Sequence, residues 1–424
     1  MFAWFNSCAT HAERMDAERA IKSGDWSLGT VFEMVRTPGN DDGDIARYRA
    51  YTNALLGRPY LAYYIRPAAG WRQDDIAHDP ELSPTITPDG PLVPYLDYSV
   101  EYPPGFFAGG LPPALVASTA TGYALAFSVW MALLLTASLV LCTVVARRLD
   151  LDADAVVKLS AFAALALGVI AVRRFDALVS IAVCGLVAGV VTRRAWLAGL
   201  LYGVGIAAKG LPLLVAPFPM IIYVRERRWR ELAIASVLAV AVVAFAITPV
   251  LDAPLMDMLR YHGERPIQIE STWGGILAFT GARPEFTFGS LNLVADFDGP
   301  LRTLASILPI AAWLGLVGLA IRRRIDERQM VRFIAVAIVA YMVLGKVLSP
   351  QYLTWLVPIG AVASLTAGRA ERRLFIAALI ATQVIYPFFY MTPLVWTGSP
   401  VFGAIVLVRN GLLAAWAVRL LRAP

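Results

Sequence analysis

Cysteine and histidine are scarce in this 424-residue chain, at three each. Cys8, Cys142 and Cys184 share no CxxC spacing and two of them lie inside apolar segments, which argues against a disulfide framework or a metal site. His11, His78 and His262 are too few and too scattered to build a zinc centre. Charge is sparse as well, with 16% of residues Asp, Glu, Lys or Arg. The opening "MFAWFNSCATHAERMDAERA" has neither a basic start nor a long apolar core, so it is not a secretory signal. Nor does any apolar run of about 18 residues precede Asp41.

Hydrophobic residues make up 58% of the chain, which points to a polytopic membrane protein rather than several soluble domains. Tyr123–Ala146, Leu232–Leu251, Thr303–Ile321 and Leu374–Val408 carry no Asp, Glu, Lys or Arg. An apolar helix needs about 20 residues to cross the hydrocarbon core, so the first three fit one crossing each. The last has room for two, with a break at "MTPLVWTGSP". The expectation is an all-α helix bundle with about 11 membrane segments. They fall at 123–146, 156–172, 177–192, 195–208, 211–224, 232–250, 303–321, 330–346, 350–367, 374–391 and 397–418.

The formal charge of +6 does not point to nucleic acid, because the basic residues form short clusters between apolar segments, as topology determinants do. One alternate set of connections holds Arg147, Arg148 and Lys158, then "TRR", "RERRWR", "RRRIDERQMVR", "GRAERR" and "RLLR". The other holds Arg173, Arg174, Lys209, Arg260, Arg265, Arg283, Arg302 and Lys346, fewer than half as many. The positive-inside tendency places the first set in the cytoplasm. That assignment requires Trp196–Val224 to enter and leave on one side, turning near "AAKGLP", where Gly210 and Pro212 favour a break. Residues 1–122 then fall outside with nothing to carry them across. The expectation is an earlier spanning helix, upstream of a truncated or misassigned start.

The polar, sequence-complex segments all fall on the outer side by this count. Asp44, in "GDIARYRAYTNALLGRPY", opens a stretch in which Ile45, Tyr48, Tyr51/Thr52 and Leu55 recur at helical spacing. A carboxylate at a helix start either caps amide donors or does chemistry, and both readings stand. Asp42-Gly43-Asp44 also spells a short DxD pattern that a divalent metal could use. "DYSVEYPPGFF" carries Glu101 and Tyr102 on a proline-stiffened extended turn, with aromatics suited to a membrane interface. "RRFD" offers Arg174 and Asp176, or only a helix cap at Asp176. Lys209 and Lys346 stand at the outer ends of short segments, where snorkelling is the plain alternative. Together with Arg265 they offer three cations to an anion such as a phosphate. Glu270, Ser271, Gln351 and Tyr352 add neutral or acidic polar groups nearby. Arg409 interrupts an apolar stretch and is expected to face the bundle interior, with an unknown partner.

In this order, "GDIARYRAYTNALLGRPY", "EYPPG", "RRFDAL", "AAKGLPLLVAP", "RPIQIES", "SPQYLTWLVP", "QVIYPFFY" and "VRNGLL" resemble glycosyltransferase family 87 from about residue 40 to the end. These are C-type membrane enzymes similar to bacterial polyprenyl-phosphomannose-dependent mannosyltransferases. The resemblance implies a helix bundle with a large first external loop, its catalytic acid in that loop and its site facing outside a bacterial cell membrane. It divides the chain into an atypical segment 1–40, an external loop 41–118 and a helical domain 119–424. The family's first helix is missing here. By position, Asp44 matches the acid and would serve as general base in a single inverting displacement. Arg265, Lys209 and Lys346 would hold the leaving phosphate of a polyprenyl-phosphate hexose, most simply mannose, and the acceptor would be a hydroxyl of a lipid or glycan. No cofactor is demanded, and a metal at Asp42/Asp44 is not needed. The competing classes are a lipid-linked sugar transporter and an inactive membrane subunit.

Overall fold

Charge-free runs become helices whose ends fall at arginines and capping side chains. The computed structural model describes residues 43–65, 84–253 and 261–423. Helix α1 (Gly43–Leu55) leads to a two-residue antiparallel pair, β1 (Tyr60–Leu61) with β2 (Thr85–Ile86), and then to α2 (Phe107–Val116). The bundle follows with α3 (Ala120–Arg148), α4 (Ala153–Leu167), α5 (Ala177–Val191), α6 (Ala195–Ala208), α7 (Pro217–Arg225) and α8 (Trp229–Ile247). Thr119 caps α3 through Gly122 N at 3.1 Å, and Asp152 caps α4 through Ala155 N at 3.0 Å. Arg147 and Arg148 close α3, where a cation meets the carbonyl end of the helix dipole.

Among the described residues, five helices are long and apolar enough to cross a membrane: Ala120–Arg148, Ala153–Ala171, Trp229–Val250, Gly299–Arg323 and Pro400–Arg422. The remaining segments of the expected set are shorter or carry more charge. Ala177–Val191, Ala195–Ala208 and Leu211–Arg225 are apolar but short. They form the middle of the bundle, where α6 packs between α5 and α8. A Cβ at Gly199 would collide with the Ala235 backbone, so α6 and α8 touch at main-chain distance, as small residues allow between membrane helices.

The helix breaks at Lys209, whose φ of −160° and ψ of 123° are extended, and a 3-10 stretch over Leu211–Val215 starts the return. Its two arms end together. Arg193 Nη2 lies 3.2 Å from Glu226 Oε2, and Arg228 Nη2 donates to the Val190 carbonyl at 2.8 Å. Arg225 Nη1 donates to the carbonyls of Arg324 and Ile325, Arg323 Nη1 to Leu421 O at 2.7 Å, and Arg332 Nη1 to Ala423 O at 2.9 Å. The basic clusters read as topology determinants are thus tied into one end of the bundle.

Between α8 and the next long helix the chain leaves the helical regime. Strands β3 (Ile267–Gln268), β4 (Arg283–Thr287) and β5 (Ser290–Val294) form an antiparallel sheet in the order β3-β5-β4, with the short helix α9 (Thr272–Leu277) between β3 and β4. This sheet departs from the all-α expectation, although the described chain is mostly helical. Phe288 and Gly289 both have positive φ, at 52° and 65°, so β4 and β5 turn tightly. The bundle resumes with α10 (Gly299–Arg323), α11 (Glu327–Leu344), α12 (Val357–Ala367), α13 (Arg369–Gln383) and α14 (Pro400–Arg422). Asp326 and Gln329 form a capping box at the start of α11. Cys142 and Cys184 meet at 3.3 Å between α3 and α5 and remain unbridged thiols.

Candidate active site

At the end of the bundle opposite the arginine clusters lies a cavity of about 920 Å³. Helix α1 contributes Asp44 and Arg47 to its wall, the segment before α2 contributes Glu101 and Tyr102, and the α4–α5 connection contributes Arg173 and Arg174. Lys209 enters from the helix break, Arg265, Gln268 and Glu270 from the segment around β3, and Lys346, Gln351 and Tyr352 from the segment after α11. One flank is aliphatic, formed by Val169, Ile170, Leu213, Leu214, Pro309 and Ile310. Ile310 is also 60% exposed, so this flank continues onto the outer, apolar face of α10. Trp313 Nε1 donates to Leu214 O at 2.7 Å and joins α10 to the broken helix there.

Asp44 sits in the first turn of α1, and its Oδ2 is 2.8 Å from Arg174 Nε. That same nitrogen donates to Gln351 Oε1 at 2.8 Å. One helical turn beyond Asp44, Arg47 Nη1 pairs with Glu101 Oε1 at 2.5 Å. Burial opposes the charge on Glu101, but Arg47 and the Tyr102 and Tyr261 hydroxyls hold its carboxyl down at about 2. Arg47 was not singled out from sequence, although its spacing from Asp44 on one helix face was the available signal.

The "EYPPG" segment owes its position to the helix break. Pro103 is extended, at φ −60° and ψ 158°, and a Cβ at Gly105 would collide with the Ala207 and Ala208 backbone just before Lys209. Tyr102 stacks on Phe106 (centroids 5.1 Å apart) and meets Phe175 edge-on at 4.7 Å. Tyr48 is fully buried among Tyr102, Phe106, Phe127 and Phe175, and its side chain packs the wall rather than lining the cavity.

Asp176 does not cap α5 with its side chain. Its Oδ1 accepts from Lys209 Nζ at 2.8 Å and from Trp355 Nε1 at 2.5 Å, in a site with no exposure of Asp176. Lys209 Nζ also lies about 5 Å from the ring centres of Phe175, Tyr352 and Trp355. Snorkelling is therefore not its role, and its charge is already engaged. Arg265 and Lys346 differ from it: among the described residues neither makes an ion pair, and Lys346 Nζ donates to the Gly263 carbonyl at 2.5 Å.

Behind this wall are Ser271 and Arg409. Ser271 caps α9 by accepting from Gly274 N at 2.9 Å. Arg409 finds its partners in main chain and neutral side chains: Nη2 donates to Glu270 O at 2.9 Å, Nε to Asn410 Oδ1 at 2.6 Å, and Nη1 to Thr382 Oγ1 at 3.4 Å. Glu270 itself is buried, and burial pushes its carboxyl up to about 7 against the opposing influence of Arg409, Tyr390 and Arg265. Sequence reading also missed Gln268, His262, Tyr386, Tyr390 and Trp396 on the cavity wall. Burial and the Arg265 charge lower His262, whose Nε2 lies 3.2 Å from Glu101 O. Asp42 lies outside the described residues, so a metal clamp with Asp44 has no structural description. Among the described residues no group of three or more His, Cys, Asp and Glu side chains is placed to hold a metal ion.

Such a cavity can hold an alcohol against a carboxylate, an anion against Arg265 and Lys346, and an aliphatic chain along its flank. The family model of glycosyltransferase family 87 matches residues 101–350, more than half of the chain, while no curated protein and no solved structure matches it. The matched span includes Glu101, Arg174, Lys209, Arg265, Glu270 and Lys346 and begins after Asp44.

Proposed function

This chain belongs to glycosyltransferase family 87 and is a membrane glycosyltransferase; on that premise we propose that it moves a hexose, mannose by family likeness, from a polyprenyl-phosphate donor to a hydroxyl of a lipid or glycan acceptor. The observation that carries this reading is the shared wall of the cavity. Asp44, Arg265 and Lys346 line one space, and an aliphatic flank leads from it to the outer face of α10. The prenyl chain lies along that flank, and its phosphate meets Arg265 and Lys346. Asp44 accepts the proton of the acceptor hydroxyl as its oxygen attacks the anomeric carbon. The C–O bond to phosphate breaks, the electron pair leaves with the lipid phosphate, and the anomeric configuration inverts. Because that leaving group is already anionic, it needs cations and no protonating acid. Arg174, itself bonded to Gln351, holds the Asp44 carboxylate in place, while Lys209 with Asp176 fixes the break that brings "EYPPG" to the cavity.

The distribution of Lys and Arg supports an outward-facing site in a bacterial cell membrane. No specific feature of the cavity favours the transporter or inactive-subunit readings over this one. The test is transfer of radiolabel from polyprenyl-phosphomannose in membranes carrying the wild type or Asp44→Asn. Loss of a general base lowers the rate by about 10²–10⁴-fold. Equal transfer by both proteins removes Asp44 from that role.

A further inference from the structure

The cavity has two chemically unlike sides. Its lining includes aliphatic side chains, Pro309 and Ile310 of α10 among them, and the aromatic rings of Tyr386, Tyr390 and Trp396. These three come from the irregular chain between α13 and α14, where Tyr386 leaves helical geometry at φ −128° and ψ 123°. The rings are held in place. Tyr386 and Tyr390 meet edge-to-face at 5.2 Å, Tyr390 packs on Phe402 at 6.4 Å, and Trp396 Nε1 donates to Tyr390 O at 3.2 Å. Trp396 keeps 41% of its surface exposed although it lines the cavity.

Behind Tyr390 lies a polar pair that this segment alone does not require. Gln268 Nε2 donates to Glu270 Oε2 at 2.9 Å, and both residues are buried, at 3% and 1% exposure. Among the described residues Gln268 Oε1 and Glu270 Oε1 accept no hydrogen bond of ordinary geometry, with the Tyr390 hydroxyl beside the Glu270 carboxyl. Two adjacent buried acceptors without donors are costly, and in native proteins they call for an explanation. Both residues line the cavity beside Tyr390, and a ligand whose hydroxyls donate to this pair supplies one.

An aromatic face is negative, and the C–H hydrogens on one side of a pyranose are made positive by the neighbouring oxygens. Rigid rings beside a few hydroxyl, amide and carboxylate groups therefore suit a sugar, whereas an aliphatic flank suits a prenyl chain. We propose that Trp396, with Tyr386 and Tyr390, is the platform on which a sugar ring stacks in this cavity, and that Gln268 and Glu270, on the same wall, accept from its hydroxyls. The proposal rests on the glycosyltransferase reading and adds to it the residues that determine sugar specificity. The ring belongs to the donor or to a sugar-bearing acceptor, and kinetics separate the two.

The experiment uses the purified full-length chain in detergent, with polyprenyl-phosphomannose as donor probe and octyl α-mannoside as acceptor probe. Trp396→Ala raises KM for one probe about tenfold while kcat stays within about threefold, and Trp396→Phe restores most of the affinity. Tyr390→Phe, which keeps the ring and loses the hydroxyl, raises the same KM about threefold and covers the case in which Trp396→Ala does not fold. Glu270→Gln moves that KM in the same direction and leaves thermal unfolding unshifted. The probe whose KM moves identifies the source of the ring. Active variants with both KM values unmoved overturn the platform and leave the transferase reading intact, as does a fall in kcat alone that tracks lowered thermal stability. A wild type that transfers nothing from the donor probe overturns both.

Discussion

Arg174 Nε stands 2.8 Å from Asp44 Oδ2, so the proposed base is held by a residue 130 positions further along the chain. The contact joins the first turn of α1 to the α4–α5 connection, and Gln351 fastens the same nitrogen from a third element. A carboxylate that must meet a hydroxyl at hydrogen-bond distance depends on such fixing, since a misplacement of about 1 Å lowers rates about 10²-fold. Arg174→Gln is therefore expected to lower kcat by about 10–100-fold with donor KM little changed. In the Asp44→Asn background the same change has almost no further effect, because the two residues act as a unit. Steady-state transfer assays on the four proteins decide it, and additive losses would show that Arg174 acts elsewhere.

The three cations assigned to the donor phosphate divide by their surroundings. Lys209 is tied to a fully buried Asp176, whereas Arg265 and Lys346 make no ion pair among the described residues. Removing one partner of a buried pair leaves an uncompensated charge and costs about 3–5 kcal/mol. Lys209→Met and Asp176→Asn should each lower the unfolding temperature markedly, and the double variant should lose less than their sum. Arg265→Gln and Lys346→Gln should instead leave stability nearly unchanged and lower kcat/KM for the donor about 10–100-fold. Thermal unfolding beside donor kinetics separates the two classes. A Lys209 variant of normal stability with weak donor binding would return Lys209 to the phosphate.

Glu101 gives a pH prediction whose sign follows from its pairing. Its folded carboxyl titrates at about 2, below the ordinary 4.5, chiefly because Arg47 outweighs the effect of burial. The unfolded chain thus binds the proton more readily. The resulting stability, about 3 kcal/mol, is present above pH 4.5 and is lost as pH falls through about 2. Glu101→Gln is expected to unfold at lower temperature than the wild type near pH 7 and to approach it near pH 2. Thermal scans of both proteins across this range check it, and parallel curves would mean that the Arg47 pair contributes nothing.

Much of this organisation is legible in the sequence because the membrane limits what an apolar run can become. Charge-free runs mark α3, α8 and α10, and Gly210 with Pro212 marks the break at Lys209. The sheet was less visible. "RPEFTFGSLNLV" alternates as strands do, but a reading dominated by long apolar runs gives short polar stretches little weight. Arg409 shows a second limit. Its isolation in an apolar helix reveals that it must find partners, yet the acceptor it finds is the Glu270 main-chain carbonyl, which no residue type announces. Asp176 shows a third, since a carboxylate just before a helix looks like a cap until the lysine 33 residues later is seen against it.

The return of α7 beside α6 makes a prediction about sidedness. If Trp196–Val224 crossed as one helix, residues 193 and 227 would lie on opposite faces of the membrane. Instead Arg193 reaches Glu226 at 3.2 Å, and Lys209, midway, sits at the cavity with the extended backbone that ends α6. Proline has no amide to donate and Gly210 lowers the cost of leaving the helix, so the chain breaks here, beside a polar cavity. Cysteines placed singly at Arg148, Arg194 and Arg227, all exposed positions, should react with a membrane-impermeant maleimide from one side. A cysteine at Glu285, exposed on β4, should react from the other. Cys8 is replaced by serine in these variants, and the buried Cys142 and Cys184 stay unlabelled in folded protein, so native thiols do not blur the result. Reaction of the residue 227 cysteine from the same side as residue 285 would place the two arms on opposite faces and remove Lys209 from the cavity end of a hairpin.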